Sequence, residues 1–329
     1  MRKKGLVERI VMSEPAGEDF SHAKFPDNRA KLFTYMLKNK SFKIYKNHLL
    51  MALFFLPLIV WSVLCMGYSD WIFSLDPKEG IAHFVEYWFT VYVSEIPLWS
   101  IAFVGLAGGL NVIRKLAWSD PVILKTDFFG GIRASGKQLG LVGLLWGIIF
   151  AIIRYAIDWL GFYYQVFDGS YTVAFGIFVC ILLLVFAVGY TVYVVCMSSL
   201  YNVTFKQLLI GAFKLYFADL FLATGVILAS LLPLALVIVS DLAILVLIGY
   251  LLLLVLFIGI MIIPPFLVCH HTFDRIINKK DYPDYYGRGL SYGVYKESEA
   301  PMSIVEDNEN ESHTEELEND FERVNDDEN

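Results

Sequence analysis

The sequence predicts an all-α fold: a polytopic bundle of six transmembrane helices with both termini in the cytoplasm. Three observations carry that expectation. Apolar residues make up 57% of the 329 and charged residues only 18%, where a soluble domain carries nearer a quarter. The apolar residues gather in blocks of about twenty, the length a helix needs to cross roughly 30 Å of hydrocarbon. Lys and Arg alternate from loop to loop, as in proteins oriented by their positive charges.

The elements follow in order. Residues 1–46 read as a cytoplasmic segment that ends in a basic juxtamembrane helix. Its first part holds Glu8, Glu14, Glu18 and Asp19 without an apolar core, so no cleavable signal peptide is expected. The membrane domain covers 47–290. Its first span runs from about Leu49 to Gly67 with Pro57 inside. The second, about Tyr87 to Leu110, is interrupted by Glu95 and Pro97, so it reads either as one tilted helix or as a span that starts only at Pro97. An amphipathic polar stretch, 111–138, follows. The third span is about Leu139 to Phe162 and the fourth about Val173 to Met197.

Residues 202–217 predict an amphipathic helix, because Phe205, Leu208, Leu209, Ala212, Phe213 and Tyr216 recur at helical spacing opposite Lys206, Gln207 and Lys214. The fifth span, about Leu220 to Val239, turns at Ser240-Asp241 into the sixth, Leu242 to Val268. The tail, 291–329, is acidic and poor in apolar residues, a composition that predicts disorder. Asn111-Val-Ile-Arg-Lys115 echoes Asn202-Val-Thr-Phe-Lys206, either as a duplicated unit or as a chance match at helix ends.

Orientation rests on the loops. Lys31, Lys38, Lys40, Lys43 and Lys46 precede the first span, and Arg114, Lys115, Lys125, Arg133 and Lys137 follow the second. Lys206 and Lys214, then Arg275, Lys279, Lys280 and Arg288, lie on that same side, while Lys78 is the one basic residue expected in the opposite loops. A plasma membrane crossed several times is the expected location. No basic stripe with interleaved aromatics points to nucleic acid. Cys65, Cys180, Cys196 and Cys269 sit in or beside apolar blocks without metal or disulfide spacing.

Ionisable residues inside a bilayer are the default functional candidates, since each costs at least ~2.5–3.5 kcal/mol at a helix centre. Arg154 and Asp158, one turn apart on the third helix, share a face and can pair. They either serve a solute or snorkel beside Trp159 and Tyr163. Glu95 is the second candidate, with Arg154 as the natural cation if it lies inside the membrane. Asp219 reads as a solvated helix-end charge.

Gly105 with Gly109, and Gly143 with Gly147, are spaced for close helix packing. His270 and His271 read as a helix terminus rather than a metal pair, because neighbours on a helix diverge by about 100°. Pro264-Pro265 is expected to kink or end the last helix. Walker A, HExxH, GxSxG and strand-linked GxGxxG patterns are absent, so no catalytic, cofactor or metal set is read.

Leu200-Tyr-Asn-Val-Thr-Phe-Lys-Gln-Leu-Leu209, between two apolar helices, resembles a stretch of the YesL-like family of bacterial membrane proteins. Gly108-Gly-Leu-Asn-Val-Ile-Arg-Lys-Leu116, Asp127-Phe-Phe-Gly-Gly-Ile132, Gly136-Lys-Gln138 and Phe273-Asp-Arg-Ile-Ile277 are similar to further parts of it. The resemblance covers about 33–289. This chain departs from it in the longer 69–95 stretch and in the acidic tail. It implies a bacterial plasma-membrane location and an association with carbohydrate uptake, and it transfers no catalytic residue.

Two functional expectations follow. The first is a non-enzymatic accessory or regulatory protein whose partners are the bilayer and a membrane uptake system. The second is a small-solute transporter or channel lined by Glu95, Arg154 and Asp158.

Overall fold

A computed structural model describes residues 25–75, 80–166, 169–238 and 258–293. Expectations for 1–24, the Ser240-Asp241 turn, most of the sixth span and the acidic tail from 294 lie outside these residues. The described chain is helical: α1 (Arg29–Leu75), α2 (Gly80–Trp118), α3 (Leu124–Val166), α4 (Tyr171–Leu200), α5 (Phe205–Ala218), α6 (Leu220–Ile238) and α7 (Ile258–Phe273). Four of them are long and apolar enough to cross a membrane, or five if α5 and α6, bent by 95° at Asp219, count as one span.

The first three helices are longer than the apolar blocks inside them. α1 has 47 residues, roughly 70 Å at 1.5 Å per residue, more than twice a bilayer core. It runs unbroken through 46–47, so the basic juxtamembrane segment and the first span are one helix. α2 starts at Gly80 and continues through Pro97 to Trp118, which places Glu95 inside a continuous helix. The polar stretch 111–138 is correspondingly no separate segment. It consists of the end of α2, a turn at Ser119 with φ of 61°, and the start of α3. The echo between Asn111 and Asn202 does not extend to the backbone, since Asn111 is mid-helix and Asn202 lies in the loop before α5.

Lys40 stabilises the turn by donating to the Leu116 carbonyl at 2.7 Å and to Ser119 Oγ at 3.1 Å, a cation on the free carbonyls of a helix C-terminus. Asp127, in the first turn of α3, accepts from the Ile123 amide at 2.8 Å and from Lys115 at 2.7 Å.

In lipid, apolar burial contributes little to helix association, and close van der Waals packing takes its place. The α2–α3 pair is the most extensive contact, and glycines make it possible. A Cβ on Gly143 would come within 2.8 Å of Ser100 Cα, and one on Gly147 within 2.9 Å of Ile96 Cα. Gly105 and Gly109 accommodate the side chains of Phe54 and Met51 from α1. α4 packs on α3, and α7 packs on α1 and α6. The perimeter is apolar: Leu53 and Leu64 of α1, Ile152 of α3, Phe178 and Leu182 of α4 and Leu232 of α6 all face outward. Such a belt suits hydrocarbon rather than water.

α7 does not stop at Pro264-Pro265. It continues to Phe273 and then widens into a π turn over Asp274–Asn278. Asp219, expected to be solvated, is instead buried at the α5–α6 bend, where it accepts from Thr272 Oγ1 and from Arg275, each at 2.6 Å. The bend leaves the Asp219 side chain within reach of α7, which removes it from solvent.

Candidate functional site

Tyr92 and Glu95 lie three residues apart on α2, and Arg154 and Asp158 four apart on α3. The Gly147–Ile96 approach holds these helices together beside Glu95, so the two pairs meet. The Tyr92 hydroxyl donates to Asp158 Oδ2 at 2.6 Å, and Arg154 Nη2 donates to the same hydroxyl at 3.3 Å. Arg154 and Asp158 approach to 3.8 Å, and the guanidinium stands 5.6 Å from the Tyr92 ring centroid. A neutral phenol thus bridges a cation and an anion, which spares either charge a desolvated, unpaired state. From α1, Ser62 donates to Glu95 Oε1 at 2.7 Å, and Trp61 donates to Ser94 Oγ at 2.8 Å.

The cluster is graded from inside to edge. Glu95 is 5% exposed, the Asp158 side chain 19% and that of Arg154 37%. All three sequence candidates therefore come together, around a tyrosine that the sequence did not single out. Tyrosine near a span end reads as an interfacial anchor, so composition gives no sign of its bridging role. Chemically the arrangement pairs Arg154 with Asp158 and ties three helices together.

Next to this cluster lies an apolar cavity of about 290 Å³. Among the described residues its walls include Trp99 and Phe103 of α2, Trp146 of α3 and Phe266 of α7, with no charged side chain. Phe150 separates the two regions, 6.4 Å from the Tyr92 ring and 5.4 Å from the Trp99 ring.

A second polar network occupies the end of the bundle where α1 begins, α2 meets α3 and α4 ends, here called the base. Arg29 pairs with Asp274 at 2.5 Å, with both side chains buried, and donates to the Arg288 carbonyl at 2.9 Å. Asp274 also accepts from Asn278 at 2.8 Å, and Asn278 accepts from the Tyr201 hydroxyl at 2.5 Å. Arg288 pairs with Asp120 at 3.2 Å and stacks 4.7 Å from Trp118, whose other neighbours are Arg114, Tyr285 and His270. Gly289, at a φ of +84°, lies directly on the Ala117 carbonyl, where a Cβ would clash.

Burial pushes the Asp120 carboxyl above its ordinary value, against the pull of Arg288. His270 is 1% exposed and packs against the Phe266 ring at a tilt of 53°. Burial, then Arg29 and Arg114, push it well below the usual histidine value, so it is neutral. His271 is exposed on the other side of the helix.

Several residues of the loop-flanking motifs at 108–116 and 136–138 act in this base. Asn111 donates to the Asp127 carbonyl at 2.7 Å, Arg114 to the Ser199 carbonyl at 2.7 Å, and Gln138 to the Val203 carbonyl at 2.9 Å. Each joins two helices or a helix and a loop. No family model, no curated protein and no solved structure matches the chain.

Proposed function

We propose that the chain is a six-span protein of the bacterial plasma membrane, with both termini cytoplasmic and with membership of the YesL-like family. In this reading it works as a non-enzymatic accessory or regulatory partner of a solute-uptake system, carbohydrate uptake being what the resemblance implies. One observation carries the reading: Arg154 and Asp158 are engaged with each other through Tyr92, Glu95 accepts from Ser62, and the cavity beside them is apolar. A permeation path for a polar solute needs hydrated or solute-binding groups along it, whereas these groups hold helices together. The base then faces the cytoplasm, where the lysines of α1 and α5 are available to a partner.

The test is flux. Purified full-length protein in proteoliposomes is expected to move labelled mono- and disaccharides no faster than empty vesicles. In native membranes solubilised in mild detergent it is expected to migrate in a larger assembly. Migration as a lone chain in several such detergents contradicts the accessory reading.

The convergence of Glu95, Arg154 and Asp158 favours a second reading, a small-solute transporter that uses them as its polar lining. Protein-dependent flux lost in Glu95→Gln and Arg154→Gln establishes that reading and removes the first.

A further inference from the structure

The apolar cavity has a deep wall and a shallow rim. Phe103, Trp146, Cys196, Ile227 and Phe266 are buried, whereas Thr191 and Val192 of α4 and Leu231 of α6 are half-buried, as are Phe55 of α1 and Met261 and Ile262 of α7. The rim adjoins surface that already faces outward: Leu183, two turns before Thr191, and Leu228 and Leu232, on either side of Leu231, are exposed. Among the described residues, the side of the cavity between α4 and α6 is the one that adjoins this outward-facing surface, so it forms a recess in the apolar perimeter there. In a membrane the medium at that perimeter is hydrocarbon, not water.

Its dimensions and chemistry narrow the occupant. Water needs two to four polar partners to enter a cavity. Here the polar lining groups are few, and the Ser230 hydroxyl already donates to the Ile227 carbonyl at 2.8 Å. No charged side chain lines the recess among the described residues, so ions and charged solutes find no partner there. A cavity of ~150 Å³ accepts one benzene, and 290 Å³ accordingly takes on the order of a dozen carbon atoms by the same comparison. The aromatic walls of Trp99, Phe103, Trp146 and Phe266 offer flat faces with many dispersion contacts.

We propose that the recess binds one hydrocarbon chain of a membrane lipid, entered from the bilayer between α4 and α6. An occupied recess restores the packing contacts that an empty one lacks, and it makes the α4–α6–α7 arrangement responsive to the lipid at its side. The inference stands apart from the uptake reading, since lipid contact and solute flux are measured separately.

The test uses the full chain in nanodiscs of phosphatidylethanolamine and phosphatidylglycerol. A trace of phosphatidylcholine carries a diazirine midway along one acyl chain. After irradiation, mass spectrometry of the digest is expected to find adducts concentrated on Thr191, Val192, Cys196 and Leu231, several-fold above Phe178 and Leu182 on the open face of α4. Thr191→Trp, which fills the mouth, is expected to remove the recess adducts and leave those at Phe178 and Leu182 unchanged. Val192→Phe serves the same purpose if the tryptophan variant does not fold, as judged by circular dichroism. Adducts spread evenly along α4, or recess adducts that persist in a folded mouth variant, overturn the proposal.

Discussion

The two polar regions of this bundle are built on different principles. At the base, the Arg29–Asp274 pair is deeply buried and the Arg288–Asp120 pair half-buried, and both join segments far apart in the chain. In the cluster between α2 and α3, the charges are graded toward the edge, and a tyrosine stands between Arg154 and Asp158. The base closes the bundle by clamping the start of α1 to the segment after α7. The cluster reinforces a helix pair that glycine packing already holds and adds hydrogen bonds from α1. Removing one partner of a buried pair leaves an uncompensated charge, while a half-exposed pair rearranges toward water. The difference predicts where the protein is fragile.

The largest effect is expected at the base. Asp274→Ala strands the Arg29 guanidinium and should cost about 3–5 kcal/mol, read as a large drop in the thermal midpoint in detergent. Arg29→Met with Asp274→Leu should recover most of it, because an apolar pair replaces the ionic one. Equal losses in the single and double variants contradict the clamp.

Packing comes next. Gly143→Ala pushes a methyl onto the α2 backbone and should cost about 1–3 kcal/mol. Gly225, with open space around it, should accept alanine without loss. Equal tolerance at the two positions would show that glycine does not set the α2–α3 distance.

Acid separates the two regions by a different route. Neutral His270 has its value depressed in the fold, so the unfolded chain binds the proton first, below its ordinary pKa of about 6.5. Stability is then full above pH 6.5 and falls as the pH drops, by up to about 1.4 kcal/mol at pH 5.5. His270→Phe should flatten that part of an unfolding-against-pH profile, and an unchanged slope assigns the acid sensitivity elsewhere.

The smallest effect is expected in the cluster. Tyr92→Phe removes one bridging hydroxyl and should cost about 1 kcal/mol. A loss as large as that of Asp274→Ala would mean that the cluster, not the base, holds the bundle.

Much of the architecture was legible because apolar blocks of bilayer length leave few alternatives, and the four long spans fall where those blocks lie. The juxtamembrane helix was legible, but its continuity with the first span and the reach of α2 through Arg114 were not, because polarity at a span end looks the same in a loop and in a helix. Glu95 was ambiguous for a similar reason, since one acid beside a proline suits an interface and a helix interior alike. The burial of Asp219 depends on Thr272 and Arg275, 53 and 56 residues away, and no local pattern announces partners at that range. Arg154 and Asp158 were legible as a pair from their spacing, while Tyr92, the group that connects them, carries no signal in a chain with 19 tyrosines.

The central claim is that the polar groups within the bundle are engaged with protein partners rather than set along a watery path. Accessibility at Glu95 tests it most directly. In a background with Cys65, Cys180, Cys196 and Cys269 replaced by alanine, Glu95→Cys is exposed to a charged, membrane-impermeant thiol reagent from each side of a sealed vesicle. The predicted result is negligible modification from both sides, with full labelling after denaturation. Rapid modification of the folded protein from either side would reveal a hydrated route to Glu95 and contradict the account.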